Sequence, residues 1–258
     1  MRAIREFKQY FNYAKYSAIA ELKTQVADSY LGWVWWILDP LLFMLVYSFM
    51  TIYIFKSNIE HVWLFVFSGI TIWNFFNSTV ASSIGAIRSY SSVILKTYVP
   101  KITIIFMIAT VNLIKMFISL GICIVSSFIV GVDNPLFMLN IIPLLITFCI
   151  FTYGVSLICA FIGIYIADFS NVMLVILRFL FYLSGVFYNA DVFSGVLQKV
   201  YNMLCPTGFI ISQFRRALML SQPMDYLGML YWAIIGIIFI VIGTSLLYKK
   251  ENEFMKVI

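Results

Sequence analysis

Two basic side chains, Lys115 and Arg178, stand inside long apolar stretches of the sequence. A cation at the bilayer centre costs at least about 2.5–3.5 kcal/mol on insertion scales, so it usually faces a protein interior, a partner or water. A guanidinium binds phosphate through two parallel N–H donors, which makes Arg178 the stronger candidate for an anion receptor and Lys115 the weaker one. Two structural interpretations stay open: Arg178 pairs with Asp168, and Lys115 joins a hydrogen-bond network with Asn112.

Other chemistry-bearing residues are scarce. The single histidine, His61, has no neighbouring Ser or Cys, the acidic residues are dispersed, and the four cysteines form no CxxC pair. The sequence also lacks a GxxxxGK[ST] phosphate-binding loop. We therefore expect no catalytic residue, no metal site and no cofactor in this chain.

Aromatic residues make up 18% of the sequence and often cluster. Most are expected to pack in the core or to face lipid. Some are candidates for lining a path for sugars, because apolar sugar faces stack on aromatic rings while hydroxyls meet Tyr and Trp donors. The candidates are Trp73, Phe76, Tyr182 and Tyr188, and composition alone does not separate the two roles.

The elements that carry these residues are predicted to be membrane helices. The chain is 63% hydrophobic and 11% charged, whereas soluble domains are about 45–50% apolar and 25% charged. The apolar runs are far longer than the segments of about 10 residues that form membrane barrels. We predict an all-α membrane protein with six transmembrane helices, at 33–55, 63–87, 102–130, 139–166, 172–188 and 227–248.

Two features interrupt this simple pattern. Asp39-Pro40 lies early in the first span, where it indicates either a helix start or a proline within one continuous helix. Between spans five and six, Ser194–Leu204 and Thr207–Leu220 are apolar but too short to cross, and they are broken at Pro206. Such lengths are typical of re-entrant or interfacial helices, so we predict two short re-entrant helices on the outer side.

The charges indicate orientation. Ala3–Ala18 has the pattern of a basic amphipathic helix, which fits the membrane interface or, alternatively, the surface of a soluble partner. Basic residues concentrate in 1–28 and in 249–258, so both ends are predicted to be cytoplasmic. We predict a single domain, 1–258, with a cytoplasmic amphipathic segment (1–28), a six-span bundle (33–248) and a cytoplasmic tail (249–258). The net charge of +6 is thus assigned to topology, and no nucleic-acid partner is expected.

Six short motifs, in order along the chain, resemble one family. The sequence is similar to the type-2 ABC exporter permeases that move lipid-linked polysaccharides such as O antigen, teichoic acid and capsule. Two positions depart from the family pattern, because Ala167 stands where Arg is frequent and Gly185 where Pro is frequent. The first motif is the basic amphipathic start, and the residues that match the other five are Leu22, Lys23, Ser29, Leu31, Gly32, Trp35 and Pro40; Leu95, Lys96, Pro100 and Lys101; Asp168; Ser184 and Tyr188; and Asn202, Pro206 and Arg215.

The resemblance implies a permease subunit in the plasma membrane that carries no enzyme activity of its own. It implies a second copy of this chain, two separate ABC ATPase subunits that hold ATP and Mg, and a lipid-linked glycan as substrate. Three other functions are weighed against it: an ABC permease for a drug or small lipid, an intramembrane enzyme of glycan assembly, and an ATP-independent channel. The residues implied in coupling to the ATPase are Arg88, Ser92, Leu95, Lys96, Tyr98, Pro100 and Lys101.

Overall fold

The computed structural model describes residues 2–27, 29–54, 56, 59–131, 134–166, 168–189 and 195–250. Within these ranges every regular element is a helix, as the all-α prediction requires. Residues 251–258 of the predicted tail lie outside the described residues, as do Ala167 and Ser194. The α-helices are α1 (Arg2–Ala27), α2 (Trp35–Phe49), α3 (Val62–Ser89), α4 (Ser91–Lys96), α5 (Lys101–Val130), α6 (Ile141–Tyr165), α7 (Phe169–Leu183), α8 (Val196–Leu204), α9 (Pro206–Leu218) and α10 (Tyr226–Lys249).

Among the described residues, five helical segments are long and apolar enough to cross a membrane. They correspond to predicted spans one to four and six. The first combines α2 with a 3₁₀ turn before it and a π turn after it, and the fourth begins with a 3₁₀ turn at Pro135–Asn140. The segments are Gly32–Ile54, Val62–Ser89, Lys101–Val130, Pro135–Tyr165 and Tyr226–Lys249.

The predicted fifth span differs from its expected bounds. α7 has 15 residues, about 22 Å at 1.5 Å per residue, which is less than a hydrocarbon core of about 30 Å. The helix ends because Ser184 Oγ donates to the Phe181 carbonyl oxygen and Gly185 then takes a φ of 71°. Proline is fixed near −65° and is excluded from this conformation. The turn that ends α7 therefore requires the glycine at position 185 and could not form with the proline that is frequent at this position in the resembled family.

Helix α2 settles the Asp39-Pro40 alternatives. Pro40 is buried inside a helix that already begins at Trp35, so the interpretation of a helix start at Asp39-Pro40 is wrong. The first turn thus precedes the proline, and the chain continues as one helix through Phe49.

Helix α3 occupies the centre of the bundle and most of its residues are buried. It packs against α2, α5, α6, α7 and α9. On the other side of α6, the α6–α10 pair approaches closely at glycines: a Cβ added at Gly154 would lie 2.7 Å from the Gly236 carbonyl oxygen. Small residues at such crossings are the usual device by which membrane helices come together.

The amphipathic helix is longer than predicted, and part of its apolar face is covered while Phe11 on the same face is exposed. α1 extends to Ala27, and Ala18 and Leu22 join the buried cluster formed with α5. Of the two predicted short helices, α9 is almost wholly buried while α8 has no buried residue. Pro206 is the first residue of α9, a position where its missing N–H costs nothing.

Candidate functional site

A cavity of about 700 Å³, which we call the main cavity, lies between α2, α3, α5 and α7. Both cations singled out from the sequence line it, Lys115 from α5 and Arg178 from α7. Trp73 and Asp39 also form part of the wall. The structure therefore brings together in one space two charged groups that are 63 positions apart in the sequence.

Polar side chains reach this cavity because they recur at helical spacing. Asn74, Asn77 and Ser78 form a stripe on α3, and Asn112 and Ser119 flank Lys115 on α5. Residues three, four and seven positions apart share one face of a helix. The polar face of each helix is therefore recognisable in the sequence from this spacing.

Lys115 is half-buried, and its partner comes from α1. Its Nζ donates to Gln25 Oε1 at 2.7 Å and lies 5.7 Å from the centroid of the Trp36 ring. The amide of Asn112 instead donates to the Ile108 carbonyl oxygen at 3.2 Å. The ammonium is thus held by Gln25 rather than by the network with Asn112 that the sequence left open.

Arg178 is exposed on the cavity side of α7. Asp168 is the N-cap residue of α7, and ten residues of helix separate the two groups by about 15 Å. The two side chains are therefore too far apart along α7 to form an ion pair with each other. The guanidinium therefore faces the cavity without Asp168.

The four candidate aromatic residues divide into different environments. Trp73 lines the cavity and contacts Phe181, with ring centroids 5.4 Å apart. Phe76 lies outside the cavity wall and packs in the core on Phe148, with centroids 6.4 Å apart. Tyr182 is 65% exposed on α7. Tyr188 Oη donates to the Leu183 carbonyl oxygen at 2.9 Å and caps the end of α7.

A second cleft of about 430 Å³ adjoins the first and runs toward the end of α3 that leads into α4. The two spaces share Ser78, Asn112 and Lys115 in their walls. Glu21 and Gln25 of α1 form another side of the second cleft. Lys115 therefore stands at the boundary between the two clefts.

Helix α4 is flanked by two tyrosines that donate to carboxylates of α1. Tyr90 Oη donates to Glu21 Oε2 at 2.9 Å, and Tyr98 Oη donates to Glu6 Oε2 at 3.2 Å. Glu6 also accepts from Tyr248 of α10 at 2.8 Å. Burial and the hydrogen bond to Glu21 raise the pKa of Tyr90 above its usual value, so this hydroxyl keeps its proton and remains a donor.

The other residues implied in coupling lie both on and beneath the surface. Ser92 and Lys96 are exposed, whereas Pro100 and Lys101 are buried. Arg88 Nη2 donates to the Ile164 carbonyl oxygen at 2.6 Å and so ties the end of α3 to the end of α6. The side chain of Leu95 lies outside the described residues.

Known proteins similar to this chain are membrane permeases, although no family model matches it. It is 26% identical over 244 residues to an O-antigen export system permease protein RfbA of Klebsiella pneumoniae, covering 92% of each chain. A second Klebsiella pneumoniae protein of that name is 25% identical over 244 residues, with 92% of each chain covered. The RfbA permease of Myxococcus xanthus is 22% identical over 256 residues and 98% of each chain. Over most of its length the chain is therefore similar to permeases of O-antigen export systems, which supports its resemblance to the type-2 ABC exporter permeases.

A further cation is buried in the fold, and the sequence did not reveal its surroundings. Arg215 of α9 is 4% exposed, and its guanidinium lies 3.4 Å from the centroid of the Phe65 ring. It donates to the carbonyl oxygens of Gly185 at 2.7 Å, Val186 at 2.9 Å and Phe65 at 2.9 Å. Arg215 therefore fastens the turn after α7 to α3.

The space that the Arg215 guanidinium occupies depends on the glycine at position 69 of α3. A Cβ added at Gly69 would lie 2.7 Å from Arg215 Nη2 and 3.3 Å from the Val186 Cα. The motif that contains Arg215 pointed to this residue. The carbonyl groups that accept its hydrogen bonds belong to Phe65 in α3 and to Gly185 and Val186 in the turn after α7, and backbone groups have no side-chain signature. The neighbouring guanidinium, Arg216, is half-buried at the end of the same helix.

Proposed function

We propose that this chain is the membrane-spanning half of an ATP-driven exporter that moves a lipid-linked surface polysaccharide across the plasma membrane. The observation that carries the proposal is its similarity, over 92–98% of the chain, to permeases named for O-antigen export. The functional unit contains two copies of this chain and two ABC ATPase subunits, which hold ATP and Mg.

The segment 88–101 is proposed to receive the movement of the ATPase. Its helix α4 offers exposed Ser92 and Lys96 to a partner, while Pro100 and Lys101 anchor the following turn in the core. ATP shifts the equilibrium between permease conformations only if the closed ATPase pair binds one of them more tightly. A short surface helix fastened on both sides suits that purpose because it moves together with the helices that hold it.

The main cavity is proposed as part of the substrate path. Arg178 and Lys115 supply positive charge for the phosphate-bearing head of the substrate, and Trp73 supplies an aromatic face for a sugar. Tyr182, exposed on the same helix as Arg178, lines the path where the second copy completes it. Phe76 and Tyr188 support the path from behind, through the core and through the cap of α7.

The proposed topology has six crossings, with both chain ends in the cytoplasm. α7 makes the fifth crossing together with residues 184–189, because the helix alone is too short. α8 and α9 then form the re-entrant pair on the outer side. The buried character of α9 supports this arrangement, since non-helical backbone at membrane depth needs protein cover.

Gene deletion with complementation tests the proposal. We expect the deletion strain to lose surface polysaccharide and to accumulate the lipid-linked glycan inside, with both restored by the intact chain. The tagged chain should also co-purify with an ATPase that carries a phosphate-binding loop. Unchanged surface polysaccharide together with new sensitivity to a toxic compound would instead support the drug-exporter alternative.

A further inference from the structure

A chain of hydrogen bonds runs from the start of α4 to the boundary of the main cavity. Tyr90 Oη donates to Glu21 Oε2 at 2.9 Å, and Gln25 Nε2 donates to Glu21 Oε1 at 3.1 Å. Lys115 Nζ then donates to Gln25 Oε1 at 2.7 Å. Four side chains from three separate parts of the fold are therefore connected in one line.

The order of donors and acceptors fixes the orientation of the central amide. Gln25 uses its NH₂ group toward the carboxylate of Glu21 and its carbonyl oxygen toward the ammonium. A flip of the amide would set its NH₂ group against the ammonium and its carbonyl oxygen against the carboxylate, which removes both bonds. The position of Glu21 on α1 consequently determines where an acceptor for Lys115 is available.

The side chain of Lys115 lies between the main cavity and the second cleft. It contributes to the wall of the second cleft, where Gln25 and Glu21 lie, and to the wall of the main cavity that contains Arg178. A lysine side chain is a flexible stem that carries a compact charge. Its ammonium is able to exchange one acceptor for another without movement of the backbone of α5.

We propose that Gln25 and Glu21 are positioning residues that hold the Lys115 ammonium in a resting state, and that displacement of Tyr90 releases it to bind the anionic head of a lipid-linked substrate. This inference rests on the proposed function, because it assigns regulation to the same cavity. In the resting state the ammonium donates to the Gln25 amide, which is itself held by the Glu21 carboxylate. In the released state it joins Arg178 in the main cavity, so that the cavity gains a second cation when α4 moves.

The reactivity of Lys115 toward reductive methylation, measured by mass spectrometry on the full-length permease in lipid nanodiscs, tests the resting state. We expect Gln25→Leu to raise the methylation rate at Lys115 about tenfold, the factor that corresponds to losing one charge-assisted hydrogen bond. Tyr90→Phe should raise it less, because Glu21 keeps its bond from Gln25. Equal rates in the wild type and either variant would overturn the proposal.

Two further variants separate positioning from packing. Gln25→Glu keeps an acceptor for the ammonium, so Lys115 should stay as protected as in the wild type. Thr24→Ala changes the neighbouring residue of α1, whose hydroxyl donates to the Ala20 carbonyl oxygen of its own helix, and it should leave the rate unchanged. A rise in Gln25→Glu equal to that in Gln25→Leu would show that the acceptor does not matter, and would refute the positioning role.

Farnesyl diphosphate tests the released state, with farnesol as the uncharged control and inorganic pyrophosphate as the anion without a lipid. We expect farnesyl diphosphate to suppress methylation of Lys115 in the Gln25→Leu variant and farnesol to have no effect. Suppression by farnesyl diphosphate alone identifies a lipid headgroup as the ligand, and equal suppression by pyrophosphate identifies the phosphate group itself. Absence of any protection would overturn the receptor role. These measurements need no export, so their failure is distinguishable from a failure of the complementation experiment.

Discussion

Arg215 and Lys115 show two ways in which this fold accommodates a cation. Arg215 is surrounded by fixed acceptors, three backbone carbonyl oxygens and the hydroxyl of Ser68, and lies over an aromatic ring. Within the described part of the chain, the Lys115 ammonium donates to the end of a movable side chain, that of Gln25. The first arrangement is rigid and holds the turn after α7 against α3. The second permits the ammonium of Lys115 to change partners.

The close packing around Arg215 predicts that replacing a glycine of α3 by alanine changes the free energy of unfolding differently at different positions. Gly69→Ala should lower the free energy of unfolding by about 1–3 kcal/mol, because the added methyl group meets the guanidinium and a backbone atom. Gly85→Ala is the matched control, since a Cβ there meets nothing within 4 Å. It should stabilise the helix by about 0.5–1 kcal/mol. Thermal unfolding of both purified variants measures the difference, and equal melting temperatures would contradict the packing described for Arg215.

Arg178 allows the substrate role to be separated from a structural one. Arg178→Lys keeps the charge and loses the forked donors, so export should fall while the amount of folded protein stays at the wild-type level. Arg178→Leu should reduce export further at the same abundance. Asp168→Asn is the control, because Asp168 forms no ion pair with Arg178, and it should leave the amount of folded protein unchanged. Normal export by the Leu variant at normal abundance would exclude Arg178 from the path.

The sequence indicated the two cavity cations but not the residues that hold them. A charged residue in an apolar run is recognisable from the sequence alone. The free energy needed to place a charge in the bilayer is large, so such a residue usually has a partner or a function. Gln25 lies 90 positions from Lys115, and an exposed glutamine on an amphipathic helix has no such cost. The carbonyl oxygens that receive Arg215 are equally invisible, since every residue carries one. Both sets of contacts depend on how helices come together, which hydropathy does not encode.

Among the elements, length and hydropathy predicted the five long apolar helices close to their actual bounds, and they placed the end of α7 too late. The apolar stretch that includes α7 continues beyond Leu183, so the pattern favoured a span to Tyr188. The backbone conformation of Gly185 ends the helix earlier, and side-chain hydropathy contains no information about φ. In the same way, Asp39-Pro40 was compatible with a helix start or with a proline inside one helix. The structure has the second arrangement, with Pro40 buried inside α2.

Helix α4 gives a sharper test of coupling than the sequence alone allowed. Ser92 is the natural choice for a helix-breaking proline from the sequence, but it lies in the first turn of α4, where proline is tolerated. The amide of Ile94, in contrast, donates to the Tyr90 carbonyl oxygen at 3.0 Å. Ile94→Pro should therefore uncouple ATP hydrolysis from export, because proline costs about 3 kcal/mol where it removes a helical bond.

Ile94→Ala is the matched control for the lost side chain, which packs against the core cluster of α5 and α6. It should retain most of the export activity, while Ser92→Pro should behave as the wild type. The measurement compares surface polysaccharide with the ATPase rate of the purified complex. Full export by Ile94→Pro would show that α4 is only a connector.

For the whole molecule, single cysteines on opposite sides test the proposed orientation. Gln222 is exposed in the turn between α9 and α10, and Ser92 is exposed on α4. In a variant without its four native cysteines, Gln222→Cys should react with a membrane-impermeant thiol reagent on intact cells and Ser92→Cys only after lysis. Reaction of Ser92→Cys on intact cells, with none at Gln222→Cys, would reverse the topology.

The central position of α3 has a consequence for how the protein is made. This helix has the lowest mean hydropathy of the five long segments and is the most buried of them. Its polar stripe of Asn74, Asn77 and Ser78 lines the cavity, while α5 and α6, which cover it, are synthesised later. We therefore expect the growing chain to keep its least apolar long helix in or beside the insertion machinery until α5 and α6 have emerged. Biogenesis is expected to be most sensitive to the delay between synthesis of α3 and synthesis of α6.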